Sequence, residues 1–125
     1  MQQATAWPTG HIQVHEADGL VVIEFHGEID IAAALPVMFE LDAATAAAGQ
    51  TVVVDLTPTE FIDCYGLRLV HRAEQRVRER GGRLLLVCPH PLILKILQLG
   101  GLGKRLAVLP TMEEARAPEP RESAG

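Results

Sequence analysis

Aromatic residues are scarce in this chain. They make up 4% of it, as one Trp, one Tyr and three Phe. The single tyrosine, Tyr65, therefore needs an explanation of its own. Cysteine is nearly absent: Cys64 and Cys88 are the only two, with no Cys-x-x-Cys pair and no metal-like spacing. No metal site and no cofactor are expected, and the two thiols fit a reducing compartment as free cysteines. Basic charge is in deficit, with 11 Lys and Arg against 16 Asp and Glu, a net charge of −5. That excludes sequence-independent nucleic-acid binding, which runs on clustered Lys and Arg, and attraction to anionic membranes. No apolar run approaches the roughly 20 residues a membrane helix needs. No basic segment followed by an apolar run opens the chain, so no signal peptide is expected and the location expected is cytoplasmic.

What the chain does have is aliphatic bulk. Hydrophobic residues are 48% of 125. A single domain of this size buries about two thirds of its unfolded surface. Residues 1–10 read as a flexible leader, 11–117 as one folded domain and 118–125 as a disordered tail. Ile12 and Val14 alternate with polar residues, as in a half-exposed strand. Ala17-Asp18-Gly19 is a turn signal, and Leu20 to Phe25 is the returning strand of an antiparallel hairpin, released at Gly27. Leu35 to Ala48 reads as a helix with Pro36 in its first turn and Gly49 at its end. Thr51 to Leu56 is a strand that Thr57-Pro58-Thr59 breaks. A helix from about Cys64 to Arg80 follows, with Leu67, Val70, Ala73 and Val77 as its buried stripe.

Arg83 to Val87 is another strand, and Pro91 to Leu99 a helix with proline near its start. That helix is apolar nearly all round, which core packing explains most simply. Leu106 to Leu109 is a short strand, and Thr111-Met112-Glu113-Glu114 has the form of a capping box on a last helix. The order is β-β-α-β-α-β-α-β-α. It predicts a single α/β domain, a mixed and mostly parallel sheet with an N-terminal antiparallel hairpin and four helices. The unbroken apolar runs Val52–Val54 and Leu84–Val87 predict strands covered on both faces.

Chemistry in such sheets collects at the carboxyl ends of the strands. That edge gathers Glu28 and Asp30, then Asp63, Cys64 and Tyr65, then the Val87-Cys88-Pro89 turn. Asp63 precedes a helix and reads either as a plain N-cap or as part of a site. Asp30 reads either as a loop hydrogen-bonder or as its companion. Cys64 at a helix start invites a nucleophile reading. However, no arginine stands six residues after either cysteine, and His71 is two turns from Cys64. Thiol catalysis is disfavoured, and no enzymatic activity is expected. The Cys64–Arg80 helix carries five arginines against two glutamates, as a solvated face or as a dock for an acidic partner.

Asp55-Leu56-Thr57 followed by Phe61-Ile62-Asp63-Cys64-Tyr65-Gly66-Leu67, with Gly27-Glu28-Ile29-Asp30 upstream, resembles the signature of STAS domains. The resemblance runs from about Ile12 to Ala117. It implies an anti-sigma factor antagonist. Such a module binds an anti-sigma factor, often a serine kinase with an ATP-binding domain, and so releases a sigma factor. By the same resemblance the partner surface centres on Asp63, Cys64, Tyr65 and Gly66, flanked by Asp30 and Arg68. Phosphorylated members carry a serine directly before the glycine; Tyr65 stands there in this chain. A monomer or weak homodimer is expected. The other role open to a STAS-like chain is as a subunit of a transport or signalling assembly, or a small-ligand module.

Overall fold

The computed structural model describes residues 10–102 and 106–116. Trp7, most of the expected leader and the expected tail lie outside the described residues. Ten elements follow in order: β1 His11–Ala17, β2 Leu20–Ile29, α1 Ile31–Ala44, β3 Thr51–Asp55, β4 Thr59–Ile62, α2 Cys64–Glu79, β5 Arg83–Val87, α3 Pro91–Leu99, β6 Ala107–Leu109 and α4 Met112–Arg116. The sheet runs β1-β2-β3-β5-β6, with β4 on β2. Among the described residues only β1 and β2 pair antiparallel; the other pairings are parallel. The α/β class, the hairpin and the four helices are those the sequence predicts.

The hairpin turn is the tight kind. Ala17 pairs with Leu20, which leaves Asp18 and Gly19 as the two loop residues, at φ 54° and 79°. Positive φ at both positions matches the right-handed twist of the flanking strands.

Three features differ from the sequence reading by more than a residue or two. Helix α1 starts at Ile31, four residues before the expected Leu35. Asp30 caps it, and Ala32-Ala33-Ala34 propagates it. Pro36 thus sits in the second turn, on an exposed face where water can reach the carbonyl it leaves unbonded. The helix also ends earlier. Thr45 turns its hydroxyl onto Leu41 O at 2.8 Å, and Gly49, at φ 71°, makes the later turn into β3.

The third difference is β4, a strand absent from the expected order. Pro58 ends β3's path but does not end extended chain. After the Thr57-Pro58 turn the backbone resumes beside the far half of β2. Glu28 and Ile29 pair there with Phe61 and Ile62. Strand β2 therefore continues past Phe25 to Ile29, bending at Gly27, whose φ is 77° and whose amide donates to Pro58 O at 3.1 Å. Buried Thr59 fastens the new strand, donating its hydroxyl to Phe25 O at 2.7 Å.

Helices α1, α2 and α3 cover one face of the sheet. Ile23, Phe25, Val52, Val54 and Leu86 meet Val37, Leu41, Val70, Ala73 and Leu97 there. On the other face, Val22, Val53, Leu85 and Val87 cluster with Ala115 of α4. Val52, Val53 and Val54 are fully buried, as their unbroken apolar run predicts. Of the expected α2 stripe, Val70, Ala73 and Val77 are buried, while Leu67 is half-buried and Leu69 joins the core in its place.

Thr59→Val is the direct probe of β4. It keeps the shape and removes the hydroxyl, which leaves the Phe25 carbonyl short of a partner. A loss of about 1–3 kcal/mol is expected. A urea unfolding midpoint equal to wild type would show that the bond does not hold β4 in place.

Candidate functional site

Strands β2 and β4 end side by side, with Ile29 paired to Ile62. Each is followed by an aspartate and then a helix: Ile29-Asp30-Ile31 and Ile62-Asp63-Cys64. The same local device is thus used twice at neighbouring positions. Asp30 Oδ1 accepts from Ala32 N at 3.1 Å and Ala33 N at 3.2 Å. Asp63 Oδ1 accepts from Tyr65 N at 2.9 Å and Gly66 N at 3.1 Å. Both carboxylates satisfy amides that a helix start leaves without partners, and both meet the positive end of the helix dipole. Among the described residues, no group of three or more His, Cys, Asp or Glu is arranged to hold a metal ion.

The two devices are tied together. Asp63 N donates to Ile29 O at 3.2 Å. One turn into α2, buried Gly66 packs against that same carbonyl. A methyl group there would collide with Ile29 O and with the Ile62 side chain. Gly66 therefore does not reach the surface with its neighbours. It acts from below, by letting α2 sit directly on the strand ends.

Cys64 and Tyr65 are exposed on the first turn of α2. The Arg68 guanidinium lies 5.6 Å from the centre of the Tyr65 ring, within cation–π range. The other three arginines of α2, and Arg80 that caps its end, are engaged by other parts of the chain. Arg72 forms a two-pronged pair with Asp42, at 2.7 Å for each bond. That hydrogen bond holds the Asp42 carboxyl below the usual carboxylate range. Arg76 donates to Thr45 Oγ1, Arg78 to Glu74 and Arg80 to Ala46 O. Arg72, Arg76 and Arg80 thus form a seam to α1 and the turn after it, Arg78 pairs within α2, and Arg68 stands beyond the seam's end.

The third loop of this edge is joined to the second. His90 bonds Thr57 O at 2.8 Å. His71 is turned to Gly100 O at 3.1 Å. Buried Cys88 has its thiol pushed up by that burial and directs its sulfur to His90 O at 3.6 Å. Cys64 and Cys88 are both free.

The residues that sequence reasoning missed are on α1. Ile31, Leu35 and Phe39 are 63%, 59% and 66% exposed. With Ala34 and Met38 of α1, and Tyr65, Arg68 and Leu69 of α2, Ile31 and Leu35 line a groove of about 290 Å³. Its signal was in the sequence. Ala33, Val37 and Leu41 form one apolar row at four-residue spacing, which is buried; Ile31, Leu35 and Phe39 form a second, which is not. Starting the helix at Leu35 hid the second row.

The model of the STAS domain family matches residues 11–115. Rv2638 of Mycobacterium tuberculosis, a candidate anti-anti-sigma factor, is 36% identical over 74 residues, 56% of this chain and 50% of that protein. The chain thus spans about half the length of this curated relative. An anti-sigma factor antagonist from Mycobacterium paratuberculosis has a similar crystal structure, with TM-score 0.71 and 26% identity over 85% of this chain and 90% of that one. The Bacillus cell fate determinant SpoIIAA, in its phosphorylated form, gives 0.64 and 28% over 83% and 95%.

Asp63→Ala should cost about 0.5–2 kcal/mol of stability as a lost cap. Asp30→Ala should cost a similar amount. If thermal or urea unfolding of both variants matches wild type, the carboxylates are not structural caps, and a direct role in binding is the alternative.

Proposed function

The chain belongs to the STAS domain family, and on that premise we propose that it is an anti-sigma factor antagonist. It would bind an anti-sigma factor and so free a sigma factor, working as a binding module with no chemistry of its own. The relatives described as anti-sigma factor antagonists support this reading. The observation that carries it is the pair of capped helix starts locked together at Ile29 and Ile62, with Tyr65 and Arg68 exposed above them. The partner surface then comprises Asp30, Asp63, Cys64, Tyr65 and Arg68, with Gly66 setting its shape. The two aspartates hold the backbone of that surface, and Tyr65 offers an amphipathic ring of the kind that dominates binding energy at interfaces.

A serine-directed kinase among the partners would find no acceptor here. Transfer needs a short hydroxyl about 3–3.5 Å from the γ-phosphorus and in line. The Tyr65 oxygen stands several bonds further from its backbone, at the end of a rigid ring. With the backbone docked as for serine it would overshoot the phosphate. The off-switch of phosphorylated members, about two negative charges placed in the interface, is then lost. The module is constitutive, differently regulated, or a competitor that occupies the kinase without being modified.

The first experiment is affinity capture with the full chain as bait. An anti-sigma factor among the bound proteins is the expected result; a membrane transport complex would favour the assembly role instead. The captured kinase is then given labelled ATP with wild type and with Tyr65→Ser. Label is expected on Tyr65→Ser alone. Label on wild-type Tyr65 would overturn the acceptor argument, and label on neither protein would speak against the kinase partnership.

A further inference from the structure

The exposed row on α1 is not explained by the helix starts alone. Ile31, Leu35 and Phe39 follow one another at single-turn spacing; Ile31 and Leu35 line the groove, with Met38 beside them on α1 and Tyr65 across from them on α2. From Ile31 to Phe39 the chain carries no charge at all. The row is about 12 Å long at 1.5 Å per residue, two turns of a helix. Leaving three large apolar side chains in water along one line is costly for a monomer, and such patches mark contact sites. At the rim stands Arg68, whose guanidinium lies over Tyr65 while its neighbours along α2 are held by Asp42, Thr45 and Glu74.

We propose that this groove receives a helix of the anti-sigma factor that carries apolar side chains one turn apart and a carboxylate beside them. The inference rests on the antagonist reading above and names the chemistry of that partner. The apolar residues would enter the α1–α2 groove, and the carboxylate would pair with Arg68. Charge complementarity selects this occupant over a second copy of the chain. A two-fold self-contact sets the groove against itself; its lining holds no carboxylate, and the nearest, Asp30 and Asp63, are engaged on their own helix starts. Strand addition has nothing to pair with here, because the amides of α1 are spent within the helix or on Asp30. An amphipathic helix needs only the groove and the rim charge. Arg68 on the face of Tyr65 is held in place to meet an acid, and this gives specificity beyond the apolar contact.

The test uses a displayed library of helix-forming peptides selected against the full chain. Enriched sequences are expected to carry large apolar residues at i and i+4 with Asp or Glu next to one of them. A synthetic peptide from that pool should bind Leu35→Asp about tenfold or more weakly. Leu35 is more than half exposed, so the variant should fold, and circular dichroism checks that it does. Arg68→Glu should weaken the same peptide, and replacing the peptide's acid by Lys should restore binding to Arg68→Glu. Selection without acidic residues, or equal binding to Leu35→Asp, overturns the proposal. So does a wild-type dimer in sedimentation that Leu35→Asp dissociates, which would give the groove to a second copy. The outcomes separate this inference from the function beneath it. Undiminished binding of a captured anti-sigma factor to Leu35→Asp sinks the groove and spares the antagonist. A groove that selects acidic helices while no anti-sigma factor is captured does the reverse.

Discussion

The carbonyl of Ile29 sits at the junction of everything functional in this molecule. It ends β2, accepts the amide of Asp63, and has Gly66 packed against it with no space for a methyl group. Through that one group the cap of α2 is fixed to the residue next to the cap of α1. The parallel β2–β4 pairing brings the strand ends level, and Thr59 holds that pairing from within the core. If α2 were displaced by even the width of a side chain at position 66, the two capped turns would no longer form one surface.

Electrostatics and packing divide the labour on the two helices. The arginines of α2 and its cap that could make a broad basic face are already paired: Arg72, Arg76 and Arg80 with Asp42, Thr45 and Ala46, and Arg78 with Glu74 of its own helix. The first three bind the second half of α2 to the end of α1. Exposed pairs of this sort are individually weak, so it is the buried rows on both helices that carry the association. At the N-terminal end the pattern reverses. Apolar residues of α1 face water, and Arg68 rests on the only tyrosine of the chain. A rigid seam below and an open groove above is an arrangement that presents a surface without having to reorganise it on binding.

Much of this was legible in the sequence. The hairpin followed from Asp18-Gly19, the covered strands from the unbroken runs at Val52 and Leu84, and the start of α2 from Asp63 before a helical period. The two largest departures share a physical cause: proline breaks an element only where context does not override it. Pro58 marked the end of a strand, yet the chain extends again one residue later because β2 offers an unpaired edge beyond Gly27. Pro36 favours a first turn, yet the cap at Asp30 and three alanines carry the helix past it at an exposed position. A helix starting at Leu35 leaves out Ile31 and so breaks the outward row of α1. The strand order places Tyr65 at the sheet edge and the resemblance gives it a partner role; the structure adds Arg68 on its ring.

The claim that matters most is that the paired helix starts form the partner face. Backbone amide shifts of the isotope-labelled chain, followed during titration with a captured anti-sigma factor, test it most directly. The shifts should cluster between Asp30 and Phe39 and between Asp63 and Leu69. Shifts confined to the β1–β2 hairpin, around His11, His15 and Glu24, would contradict it.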